Sequence, residues 1–123
     1  MPAARRPLTQ DRLGVGLSGL CAVHCVGTVA LAGSLGAALA NPLIHEVGLG
    51  LALVLGLVAF GSGVARHARR EPLMLGLSGL ALMAAALLIP HGAGEAALTV
   101  AGVALLATGH WWNGRIAGAA ARA

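Results

Sequence analysis

Four times in this chain a segment bearing arginine or carboxylate gives way to a run without formal charge that is long enough to cross a bilayer. Such runs occupy 19 residues at 47–65, 18 at 73–90 and 19 at 96–114, and the first, at 13–44, holds 32. A membrane-spanning helix needs about 20 apolar residues. Only 10% of the residues are charged, well below the roughly 25% of soluble domains. The pattern predicts an all-α protein, a four-transmembrane-helix bundle lying in a lipid bilayer. Its spans are expected at about 13–40, 45–65, 73–90 and 95–115, within a membrane domain covering 13–118. A polar N-terminal segment at 1–12 precedes that domain and a tail at 119–123 follows it. The apolar core of a secretory signal is about 7–15 residues. The first run is far longer, so residues 1–40 are expected to be retained.

Every basic residue is an arginine. Arg5, Arg6 and Arg12 precede the first span, Arg66, Arg69 and Arg70 separate the second from the third, and Arg115 and Arg122 follow the fourth. Cytoplasmic connections are enriched in positive residues. Both termini and the middle connection are therefore expected to be cytoplasmic, with the connections near 41–46 and 90–95 facing outward. The net charge of +4 is accounted for by this topology, and nucleic acid is not an expected partner. With no lysine in the sequence there is no Walker lysine to bind a phosphate. The chain is not its own ATPase, and neither enzymatic activity nor a resident cofactor is expected.

The chemistry concentrates at Cys21-Ala22-Val23-His24-Cys25, inside the first run. On a helix Cys21 and Cys25 stand at i and i+4, and His24 at i+3 from the first thiol, so all three share one face. The two cysteines stack with Cα atoms about 6 Å apart and side chains tilted the same way, which disfavours a disulfide. A bridging metal relaxes that restriction. An unpaired thiolate is costly at low dielectric, and a bound soft cation compensates by pairing with it. Packing is the competing reading, because a free cysteine is also a small apolar filler. Polar groups at membrane depth are, however, functional by default.

Counting about 1.5 Å per residue from Leu13, Cys21 lies roughly 12 Å and Cys25 roughly 18 Å into the membrane; counting back from Arg115, His110 lies about 8 Å in. His110 is therefore expected to approach the inner end of the thiol cluster, with an interfacial role beside Trp111 and Trp112 as the alternative. At the outer ends of spans two and four, His45, Glu46, His91 and Glu95 are expected to converge and to offer a capture site for a divalent cation. Capping and surface roles are the alternative for each. His67, among arginines, is a candidate on the exit side. No carboxylate falls in the middle of a span, which argues against a pump relying on Asp or Glu.

Gly16-Leu17-Ser18-Gly19-Leu20 recurs as Gly76-Leu77-Ser78-Gly79-Leu80. A duplicated helical hairpin and chance in a chain rich in glycine and leucine both account for it, and Ala81 stands where the first copy has Cys21. The 19 glycines allow helices to approach closely where no hydrophobic effect drives them together. That holds within one chain and between two copies, so a homo-oligomer stays open.

These residues resemble the MerC family of inner-membrane mercury-resistance transporters. The resemblance covers nearly the whole chain: four short spans, a cysteine pair in the first, small-residue-rich helices, and a histidine before a final helix end containing Trp and Asn. It is most specific at Cys21-Ala22-Val23-His24-Cys25 and at Gly109-His110-Trp111-Trp112-Asn113. The cysteines here are separated by three residues rather than the family's two, and a second, C-terminal pair is absent. The resemblance implies a multi-pass protein of the bacterial inner (plasma) membrane that takes up Hg(II) and hands it toward a cytosolic reductase or another thiol acceptor. Cys21 and Cys25 would be the thiolate ligands, assisted by His24 and His110. Mixed sulfur and nitrogen ligation suits Zn or Cu as well. A membrane thiol-disulfide oxidoreductase is the alternative from another class, against which stand the i,i+4 geometry and the lack of a second pair to relay electrons. A scaffold with incidental thiols is the third.

Overall fold

A computed structural model describes residues 6–30, 41–120 and 122–123. These form four helices, α1 (Arg6–Ala30), α2 (Pro42–His67), α3 (Glu71–Ala86) and α4 (Ala93–Ala120), with no strand among the described residues. Residues 31–40 of the first expected span, and Arg5, lie outside them. Thr9–Ala30 and Pro42–His67 are long and apolar enough to cross a membrane. Helix α3 is apolar but has only 16 residues, a rise of about 24 Å. Helix α4 has 28 residues and carries Glu95, Thr99, Thr108, His110, Asn113 and Arg115 along its length.

Local chemistry fixes the helix ends. Asn41 caps α2, its side-chain oxygen accepting from the Leu43 N–H at 3.0 Å, and Pro42 occupies the first turn, where a missing N–H costs nothing. At the other end Ala68 adopts the left-handed conformation at φ 56° and donates its N–H to the Val64 carbonyl at 2.9 Å, which turns the chain at once into α3. The third span was expected to reach Pro90, yet α3 stops at Ala86. Proline pushes the residue before it out of the helical region. The last turn tightens accordingly: the N–H groups of Leu87, Leu88 and Ile89 donate to the carbonyls of Ala84, Ala85 and Ala86 at 3.2, 3.0 and 3.3 Å, the i to i+3 pattern of a narrowing helix end.

Polarity is inverted relative to a soluble protein. Asp11, Ser18, Glu95, Thr99, His110 and Asn113 are buried, whereas Leu20, Val23 and Leu57 are 70%, 72% and 63% exposed. Lipid accepts such an apolar exterior, and the polar residues gather where helices face each other. Helix α1 turns a stripe of Asp11, Gly14, Ser18, Cys21 and Cys25 inward, at alternating steps of three and four residues. Phe60, Leu80, Met83, Val103 and Leu106 fill the apolar centre.

Helices α3 and α4 cross backbone to backbone. A Cβ on Gly79 would lie 2.5 Å from the Gly102 carbonyl oxygen, and one on Gly102 would lie 2.7 Å from that of Gly79. The repeated pentapeptide is not used alike in its two settings. Gly79 makes this crossing and Gly76 abuts Phe60, while Gly16 and Gly19 face open space. Ser18 is buried and Ser78 exposed.

Asp11 of α1 meets His110 and Asn113 of α4, and Asn113 meets His67 at the end of α2. Cys25, near the other end of α1, meets His45 in the first turns of α2, which in turn lies against Glu95 at the start of α4. Helix α1 therefore runs antiparallel to α2 and α4. Arg12, Arg66, Arg69, Arg70 and Arg115 all fall at the Asp11 end of the bundle. The thiols fall toward the opposite end.

Candidate metal centre

The Sγ atom of Cys25 lies 3.3 Å from Nε2 of His45. One turn deeper, the Cys21 Sγ stands against Gly48, 3.5 Å from where a Cβ there would sit. Both thiols are free. The His24 ring meets that of His45 edge-on, with centroids 5.4 Å apart, and its Nε2 is buried with no hydrogen-bond partner. Cys21, His24, His45, Gly48, Met83 and Thr99 are among the residues that line a cavity of about 500 Å³. The residues that meet the thiols, His45 and Gly48, belong to the first two turns of α2. The cluster lies in the half of the bundle away from the arginines.

Glu95 enters this region from the first turn of α4, where the helix dipole favours a carboxylate. It is 5% exposed. Its Oε2 accepts from His91 Nδ1 at 2.7 Å, and its Oε1 lies 3.4 Å from His45 Nδ1. That second approach is close enough for attraction but is not aligned as a hydrogen bond, so His45 Nδ1 is left unpaired. The rings of His45 and His91 stack with centroids 6.3 Å apart. Three of the four residues expected at the outer end thus come together. Glu46 does not: one position along α2 from His45, it is exposed and stays outside the cluster.

His110 is the other departure. It does not approach the thiols; its ring stacks on Phe60 at 4.5 Å, and its Nδ1 donates to Asp11 Oδ1 at 3.1 Å. It faces Gly14, where a Cβ would collide with the imidazole. Gly14 is seven residues, roughly 10 Å, along α1 from Cys21. The count of depth was compatible with a contact, but the register between α1 and α4 is not.

Asp11 belongs to the segment 1–12 expected to precede the first span as a polar stretch. In the structure α1 begins at Arg6 and Asp11 is 3% exposed. Asn113 donates to both of its carboxylate oxygens at 3.2 Å and to the Ala59 carbonyl at 3.2 Å, and it accepts from His67 Nε2 at 3.0 Å. A signal for this role was present: Asp11 continues the inward stripe of Gly14, Ser18, Cys21 and Cys25 by one further step.

Fold and site together define a class, an all-helical membrane protein whose buried helix faces carry paired thiols and imidazoles. Within it, the family model described as MerC mercury resistance protein matches residues 11–115, and the chain belongs to that family of mercury-resistance membrane proteins. No curated protein and no solved structure gave a match.

Proposed function

We propose that the protein carries Hg(II) into the cytoplasm across the bacterial inner membrane, accepting and releasing it by thiolate exchange. The observation that carries this reading is that Cys21 and Cys25, both free, lie on one helix face, Cys21 lining a cavity shared with His24 and His45 and the Cys25 sulfur lying 3.3 Å from His45 Nε2. Residues at i and i+4 have Cβ atoms about 5–6 Å apart, a span that a two-coordinate soft ion can bridge between two sulfurs. Hg(II) reaches the cavity as a bis-thiolate. The Cys25 thiolate attacks the metal, one new Hg–S bond forms as one carrier Hg–S bond breaks, and the released carrier thiolate takes up a proton equivalent to the one Cys25 gave up. Cys21 then displaces the second carrier thiol. His24 lends its unpaired Nε2 to the bound ion. Every step exchanges one Hg–S bond for another, so no ATP is needed, and a cytosolic thiol acceptor reverses the sequence on the other side.

The orientation in the membrane is read from the arginines. Arg12, Arg66, Arg69, Arg70 and Arg115 mark the end of the bundle away from the thiols, and positive connections favour the cytoplasm. This supports a multi-pass arrangement with both termini cytoplasmic and the thiol cavity in the outer half. The test is uptake of labelled Hg(II) by proteoliposomes. The wild-type protein accumulates the ion, and the Cys21→Ser/Cys25→Ser variant, folded by circular dichroism, falls to the level of empty vesicles. Wild-type rates in that variant would end the proposal. A preference for Zn(II) or Cu(I) over Hg(II) would keep the site and replace the substrate.

A further inference from the structure

We infer that His45, His91 and Glu95 form a second cation site, separate from the thiol pair, that takes a borderline divalent ion of the Zn(II) or Co(II) kind. The three residues come from the start of α2, from the turn before α4 and from the first turn of α4, and one donor atom of each lies within 4.8 Å of the other two. Two further observations point to a ligand. His45 Nδ1 is buried, faces the Glu95 carboxylate and has no hydrogen-bond partner. Glu95, itself buried, turns one oxygen to each imidazole yet makes a hydrogen bond to only one of them. Hydrogen-bonding capacity left unused at a buried position is costly, and a cation among these three atoms would use it.

The donor set selects the ion. Two imidazoles and a carboxylate are the ligands of borderline divalent ions, whereas Mg(II) and Ca(II) seek oxygen alone and the softest ions seek sulfur. Three protein ligands leave a fourth tetrahedral position, and the His91 side chain, 49% exposed, opens that position to water. The site stands in series with the thiols at a distance of one imidazole. His45 turns Nδ1 toward the outer site while its Nε2 lies 3.3 Å from the Cys25 sulfur. An ion held by nitrogen and oxygen and an ion held by sulfur are thus sorted on opposite edges of the same ring.

The test uses the full chain in detergent with Cys21→Ser/Cys25→Ser, so its result does not depend on the mercury reading. Co(II) alone is titrated in and visible absorption is recorded. The expected result is one equivalent of Co(II) giving the intense d–d bands of a four-coordinate site, displaced by Zn(II), and weakened about tenfold or more by His91→Ala or by Glu95→Gln. Since Glu95 is buried, a Glu95 variant could fail to fold; the half-exposed His91 provides the second variant, and circular dichroism checks both. Absence of these bands in the folded thiol-free protein, or bands indifferent to both substitutions, would overturn the inference.

Discussion

The two ends of the bundle hold the same kinds of side chain in opposite states. At the arginine-bearing end the polar atoms consume one another. Asp11 accepts from His110 and Asn113, Asn113 also donates to the Ala59 carbonyl, and His67 donates to Asn113 while its Nδ1 accepts from the Arg69 N–H at 3.2 Å. Two buried atoms there are left over among the described residues, Gln10 Oε1 and His110 Nε2, the latter packed against Gly14. At the thiol end two free sulfurs, His24 Nε2 and His45 Nδ1 gather without such closure, and Cys21, His24 and His45 line a cavity there. Histidine beside carboxylate occurs at both ends and so does not by itself identify a ligand site. Nor does open volume, since Asp11 and His110 line a cavity of about 970 Å³; what sets the thiol end apart is two free sulfurs beside two unpaired imidazole nitrogens.

The contrast can be broken most severely at its closed end. Asp11→Ala strips His110 and Asn113 of their common acceptor and should cost about 3 kcal/mol of stability, read as a lowered thermal midpoint in detergent. Hg(II) affinity should stay unchanged in the folded fraction. In the same assay the Cys21→Ser/Cys25→Ser protein should stay within about 1 kcal/mol of wild type, and a reversed order would mean that the thiols, not Asp11, knit the bundle. A smaller effect sharpens the comparison. A Cβ on Gly63 would collide with the Asn113 amide, so Gly63→Ala should cost about 2 kcal/mol by overpacking. Gly16→Ala meets nothing within 4 Å and should be neutral or slightly stabilising, since alanine is the better helix former. Equal midpoints for these two variants would show that the inner network has room to spare.

Much of this arrangement was legible in the sequence, and the losses share a cause. Uncharged runs located the helices, and the Cys21, His24, Cys25 spacing gave a common face. Convergence of His45, His91 and Glu95 followed from their place at neighbouring helix ends. Sequence distance gives height along a helix but not its rotation or its register against a neighbour. His110 was assigned a plausible height and the wrong neighbour for that reason. Glu46 is turned about 100° from His45 on the same helix, enough to carry it out of the cluster. Asp11 was missed because a charge at the edge of an apolar run reads as a boundary; the inward stripe of α1 carries the helix across that boundary.

The most direct test of the central claim is X-ray absorption at the mercury edge on reduced protein loaded with one Hg(II) per chain. Ligation by Cys21 and Cys25 predicts two sulfurs in the first shell, with one lost in Cys21→Ser. A shell of nitrogen and oxygen alone, or one that Cys21→Ser leaves intact, would contradict it.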